Sequence, residues 1–227
     1  MAGSDDGTRA KTAGSTPRTR VRRLPPRGHY DHATVEAILD EALVSHLGFV
    51  ADGQPYVIPT LHARLGAHVY VHGSAASRTL KQLATGIPAC LTVTLIDGIV
   101  LARSIFNHSV NYRSVVVLGV AVEITDPEEK LAALTAFSDR ILPGRWDEVR
   151  PPTRQELKAT SILRLPLDEA SAKVRSGPPG DDEADYALPV WAGVLPTALV
   201  QGTPVPDPKL TFDVPAPVWD GLPRSLP

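Results

Sequence analysis

The chain has 227 residues, 43% of them hydrophobic, and a formal net charge of −2. That is the profile of one soluble globular domain with extra segments, and the near-neutral balance gives no electrostatic reason for nucleic acid or an anionic membrane as the main partner. A single cysteine, Cys90, excludes an intramolecular disulfide and fits a reducing, cytoplasmic compartment.

Residues 1–27 lack apolar periodicity and carry a basic island with Arg20, Arg22 and Arg23, so a disordered basic arm is expected there. They also lack the apolar core of a signal peptide, and no later run is long and apolar enough to span a bilayer. Asp31 or Thr34 can cap a helix whose apolar face is Val35, Ile38, Leu39 and Ala42. A strand over 43–51, the turn Asp52-Gly53 and a returning strand over 55–63 follow, then a strand over 68–72. A helix is expected over 76–84, with Leu80 and Leu83 inward and Gly86 as its stop.

The apolar, β-branched run 87–96 reads as a central strand, Asp97-Gly98 as a turn, and 99–104 as the next strand. Residues 112–125 form a long strand in which Gly119 marks a bulge or a close backbone approach. Pro127 opens a helix with the stripe Leu131, Leu134, Phe137 and Ile141. A short helix over 153–158 and a final strand over 161–174, bent near Pro166, complete the domain. Beyond Gly177, Asp181, Asp182 and Glu183 read as a solvated loop, 188–194 as an apolar docked segment, and 196–227 as an extended Pro-rich tail. The expected organisation is an arm at 1–27, a domain at 28–176, and an extension at 177–227 that packs on the barrel or on a partner subunit. Strands and helices do not alternate strictly, so a small antiparallel barrel with peripheral helices fits better than a doubly wound sheet.

The segment most suggestive of chemistry is the break after the 68–72 strand. His72, Gly73, Ser74, Ser77 and Arg78 form a small-residue turn into a helix, with backbone N–H groups, two hydroxyls and a fixed charge. Such a turn suits a phosphate. It also suits a plain helix cap with Arg78 in solvent. His62, His68 and His72 alternate along strands, without the carboxylate or thiolate partners of a metal site. His108 reads either as a proton donor near substrate or as a hydrated loop residue. Cys90 reads as a small buried hydrophobe. The Gly-x-Ser-x-Gly elbow, the P-loop and the Rossmann glycine fingerprint are all absent from the sequence.

Four stretches, in order and spacing, carry a family resemblance: HLGFVADGQPYVIPTLHAR, VYVHGSAASRTLKQL, ACLTVTLIDGIVLARS and HSVNYRSVVVLGVAVEI. Together they resemble the pyridoxamine 5′-phosphate oxidase-like, split-barrel FMN-binding superfamily, and within it the branch of nitroimidazole-resistance flavoproteins. The resemblance implies a mainly β fold with peripheral helices, a six-stranded antiparallel split β-barrel. It also implies a homodimer with FMN at the subunit interface. Val57, Ile58, Pro59 and Thr60 are implied to line the flavin ring, and His72, Gly73, Ser74, Ser77 and Arg78 to hold its phosphate. Arg113 and Ser114 stand where the oxidases carry an Arg-Gln pair, and Trp191 stands where relatives cover the flavin from the partner subunit. Val57 and His62 replace the oxidases' basic pattern, and the Pro-rich tail replaces their substrate segment, so true pyridoxamine phosphate oxidation is not expected. The expected activity is electron transfer from NADH or NADPH to a small nitro-aromatic or quinone-like acceptor. The alternative is a flavin- or haem-binding carrier or sensor without turnover.

Overall fold

The computed structural model describes residues 15–218. The first helix forms where its cap predicts: the Asp31 carboxylate accepts the Thr34 N–H at 2.8 Å, opening α1 (His32–Glu41). Val35, Ile38 and Leu39 on one face of that helix are buried. Before it lies β1 (Gly28–His29), a short edge piece. The hairpin of β2 (Val44–Ala51) and β3 (Gln54–Leu61) turns through Asp52 and Gly53, both with positive φ, as a two-residue hairpin loop requires. Then come β4 (Ala63–Leu65), β5 (His68–Ser74) and α2 (Arg78–Ala84), which Gly86 ends at φ +88°.

The long β6 (Pro88–Leu101) and β7 (Ser109–Val120) pair antiparallel and form the spine of the sheet. They are followed by β8 (Val122–Glu123), α3 (Pro127–Ile141), α4 (Arg145–Glu148) and α5 (Arg154–Ala159), the last opened by a capping box of Thr153 and Glu156. The remaining strands are β9 (Thr160–Pro166), β10 (Ala170–Arg175) and β11 (Gly193–Pro196).

All the pairings are antiparallel, in two sheets. One has the order β1-β10-β7-β6-β2-β3, with β11 also on β6; the other is β4-β5-β9-β8. This is the expected split barrel with peripheral helices. The short edge pieces β1, β4, β8 and β11 bring the two sheets to seven and four strands. The core lies between the sheets: Leu91, Val93, Val115 and Val117 from one, Val69, Leu163 and Leu165 from the other, closed by Leu39 and Leu83. Each such side chain contributes roughly 1.5–3 kcal/mol of burial. Gly119 makes the anticipated close approach, because a Cβ there would stand 3.1 Å from Leu165 Cδ1.

Four expectations are corrected. Asp97-Gly98 is not a turn: β6 runs straight through it as a bulge. The Asp97 carboxylate is drawn to Arg113 on the neighbouring strand, and a Cβ at Gly98 would meet Val194 Cγ1 at 2.7 Å, so β11 fits only against glycine. The single strand over 161–174 is two strands in different sheets, since residues 167–169 turn the chain across the barrel. Residues 15–27 are not part of a disordered arm. Thr19 is buried, Val21 donates its N–H to the Tyr30 hydroxyl at 2.8 Å, and Arg18 pairs with Glu169. Residues 1–14 and 219–227 of the expected arm and tail lie outside the described residues. Asp181 is not solvated: it accepts from the Arg103 N–H at 2.9 Å and its guanidinium at 3.0 Å, and its side chain is fully buried. His62 is a core histidine: its ring is wholly buried, with Nε2 2.9 Å from the Leu39 carbonyl oxygen, and burial keeps it neutral by pushing its pKa down.

Candidate functional site

The 54–61 strand, β3, ends the larger sheet, so one row of its backbone groups has no strand beside it. Pro55 and Pro59 can sit here because a proline in a strand belongs where its missing N–H faces away from the ladder. Val57 has the same parity as both prolines, which turns its N–H and C=O outward as well. Its side chain is 65% exposed, and Ile58 and Pro59 beside it are exposed too. An edge with free main-chain donors and acceptors and an apolar face suits a flat heteroaromatic ring. Thr60, one residue on, is half-buried, its hydroxyl 3.3 Å from the Leu61 carbonyl.

The turn after β5 lies beside this edge. The Arg78 guanidinium sits over the ring of Tyr56, 5.3 Å from its centroid, and Tyr56 in turn stacks on Phe49 at 5.4 Å. This contact ties α2 to β3, and Tyr56 is a residue that the sequence reading missed. The signal was present, as an aromatic alternating with the ring-lining positions, but nothing in sequence joins it to a residue 22 positions away.

Gly73 lets α2 come close: a Cβ there would stand 3.1 Å from Leu80 Cδ1. Within the turn the Ala75 N–H donates to the Ala159 carbonyl at 2.8 Å, and the Ser77 N–H to the Ser74 carbonyl at 2.8 Å. The Ser74 and Ser77 oxygens accept from the Ala76 and Leu80 N–H groups at 3.1 and 3.4 Å. Both hydroxyl protons therefore remain free to donate to an anion. So the turn is both a helix cap and a set of donors: its backbone is largely spoken for, while its hydroxyls and Arg78 are available.

His72 stands at the back of the same strand end. Its ring packs on Phe137 with 4.2 Å between centroids, and burial pushes its pKa down, so it is neutral near pH 7.

Three other expected positions lie elsewhere in the chain. The Arg113 guanidinium is taken up by Asp97 at 2.7 and 3.0 Å and by Glu41 at 2.8 Å. The hydrogen bonds that it donates to Glu41 and Asp97 hold it still more firmly protonated. The Ser114 hydroxyl donates to the Lys173 carbonyl at 3.3 Å. Both are on β7, three strands from β3. Trp191 is 62% exposed and lies next to Gly193 in β11, on the far half of β6 from β2. His108 is a loop ligand, its Nδ1 accepting the Ala102 N–H at 3.1 Å. Cys90 is half-buried, and burial pushes its thiol pKa up, which leaves it inert.

The family model described as pyridoxamine 5′-phosphate oxidase matches residues 31–174. Among solved structures, the flavocytochrome Anf3 from Azotobacter vinelandii is 46% identical, over 89% of this chain and 94% of that one, with a TM-score of 0.83. The FAD and haem binding protein from Mycobacterium smegmatis is 37% identical, over 84% and 94%, with a TM-score of 0.80. A 5-nitroimidazole antibiotic resistance protein from Bacteroides thetaiotaomicron shares the fold at 22% identity and a TM-score of 0.55, over 65% and 86%. The comparison with curated proteins gave no match.

Proposed function

Because the chain belongs to the pyridoxamine 5′-phosphate oxidase family, we propose that it is a flavin-dependent oxidoreductase, with FMN held along β3 and at the 74–78 turn. The observation that carries this reading is the exposed apolar edge of β3 fastened by Tyr56 to Arg78. Val57 would offer main-chain groups to the ring edge, Ser74 and Ser77 hydroxyl donors to the phosphate, and Arg78 its charge. A bound flavin would supply the redox chemistry, a two-electron exchange between a nicotinamide donor and a small nitro-aromatic or quinone-like acceptor. The chain's own part is to bind, orient and shield; no side chain need act as a nucleophile. The name of the Mycobacterium relative raises FAD as the alternative to FMN, and both relatives' names raise haem as a second group.

The test is spectral. Purified protein should show flavin bands, release a flavin that mass identifies as FMN or FAD, and bleach anaerobically with NADH or NADPH. A flavin that neither nicotinamide reduces would leave a carrier in place of an enzyme. In Arg78→Ala, loss of a charge-assisted contact should weaken flavin binding by about 1.5–3 kcal/mol, roughly ten- to a hundredfold. Wild-type affinity in that variant would move the phosphate elsewhere.

The proposed active form is a homodimer with both chains contributing to each flavin site. Its support is apolar surface: Ile105 and Phe106, on the loop between β6 and β7, are 89% and 94% exposed, and Trp191 is open nearby in sequence to β11. Isolated exposed apolar residues are ordinary, but two adjacent, nearly bare side chains at a hairpin tip suit insertion into a partner. Phe106→Asp should shift sedimentation from dimer to monomer at micromolar concentration; a wild-type chain that sediments as a monomer with flavin bound would reject the dimer.

A further inference from the structure

A cavity of about 530 Å³ lies between His72 and the helices α3, α4 and α5, and adjoins the β3 edge at Leu61. A separate groove, of about 510 Å³, lies on the segment that leads into β1, at the other end of the sheet order from β3. That segment is held to the barrel. Thr16 and Thr19 exchange N–H to hydroxyl hydrogen bonds at 2.9 and 3.2 Å, Thr19 is buried, and Val21 is tied to Tyr30. Pro17, Val21 and Pro25 give the groove an apolar lining, and Arg20 and Arg22 line it beside them. Residues 15–27 carry five arginines and no carboxylate. Arg18 is paired with Glu169, while Arg20 and Arg22 form no ion pair among the described residues.

The other end of the chain has the opposite character. Every residue from 198 to 218 is exposed, among them Val205 at 90% and Phe212 at 76%. The segment nevertheless has local order. Pro204, Pro206 and Pro208 preset an extended backbone. Asp207 accepts the Lys209 N–H on its carboxylate at 2.8 Å and the Leu210 N–H on its carbonyl at 2.9 Å, and the Val214 N–H donates to the Phe212 carbonyl at 3.1 Å. Among the described residues, the hydrogen bonds of 203–218 all stay within that segment. Asp207 is engaged in its own turn, which leaves Asp213, next to Phe212, as the open carboxylate. Apolar side chains displayed on a backbone with set turns gain by leaving water for a second surface.

We propose that Phe212, flanked by Leu210 and Val214, docks in the 15–25 groove of a second copy of this chain, with Asp213 facing that copy's Arg20 and Arg22; the proposal rests on the homodimer reading above. Groove and tail are opposite in charge, each exposes apolar surface that the other would cover, and one chain carries both. The tail of each chain leaves its own groove open. It also departs from β11, beside the exposed Trp191, Ile99 and Leu195, so it continues the apolar region to which the dimer reading points. From Pro196 to Phe212 the chain can span about 50 Å at roughly 3.1 Å per extended residue, enough to cross onto another barrel. A two-fold axis makes the exchange twice, tail to groove in both directions.

Sedimentation equilibrium of the full-length chain tests this. Phe212→Ala should weaken dimerisation at least tenfold, because a buried aromatic anchor carries much of such an interface. Arg20→Glu with Arg22→Glu should do the same, and so should Asp213→Lys. The chain carrying all three charge reversals should dimerise more tightly than either parent, a recovery that misfolding would not give. Benzoylphenylalanine at position 212, irradiated in a mixture of ¹⁵N-labelled and unlabelled chains, separates exchange from self-docking. Mixed-label cross-links from residue 212 to residues 15–25 are expected. Cross-links within one label, or to any other part of the chain, overturn the proposal. A dimer that no variant weakens overturns it too and leaves the homodimer reading standing, whereas a monomeric wild type fails both.

Discussion

Replacing Arg113 with alanine should destabilise the protein by about 3 kcal/mol, the lower part of the range for breaking a buried ion pair. Arg113 stands on β7 opposite Leu95 and reaches two carboxylates at once, Asp97 at the β6 bulge and Glu41 at the end of α1. It thereby fastens the first helix to the middle of the sheet. The three side chains are only 20%, 12% and 27% exposed, so water compensates poorly for a lost partner. Without the guanidinium, Glu41 and Asp97 are left as poorly hydrated carboxylates that have lost their shared cation. Urea unfolding at pH 7 checks this. Equal midpoints for variant and wild type at pH 7 would show that the network adds nothing.

The same residue shows where sequence reading stops. Local features were legible: the Asp31 cap, the Asp52-Gly53 hairpin, the Gly86 stop and the Gly119 approach each follow from chemistry within a few residues. The Arg113 network joins residues 16 and 72 positions apart, and no local pattern reports such a pair. Asp97-Gly98 has the composition of a turn, yet its neighbours on β7 and β11 hold it in a bulge; tertiary contact overrode local preference. The candidate site divides along the same line. The 74–78 turn was legible because its donors are contiguous in sequence. The Tyr56 link and the cavity around His72 were not, because α3, α4 and α5 all lie far along the chain from the histidine that they surround. The stripe expected on α3 was half right for a reason with consequences: Phe137 is buried, while Ile141 is exposed, because that end of the stripe faces a cavity and not the core.

Phe137 carries the other large effect. It belongs to the smaller core of Ala63, Tyr70, Ile124, Ala133 and Ile162, which fixes α3 to the four-stranded sheet. It also walls the cavity and packs on His72 at 4.2 Å. Phe137→Ala should cost roughly 3–5 kcal/mol, the lost burial plus the void left behind. Phe137→Leu keeps most of the volume and should cost less than about half as much. Urea midpoints of the two variants give the comparison. A midpoint unmoved in Phe137→Ala would place α3 outside the cooperative core.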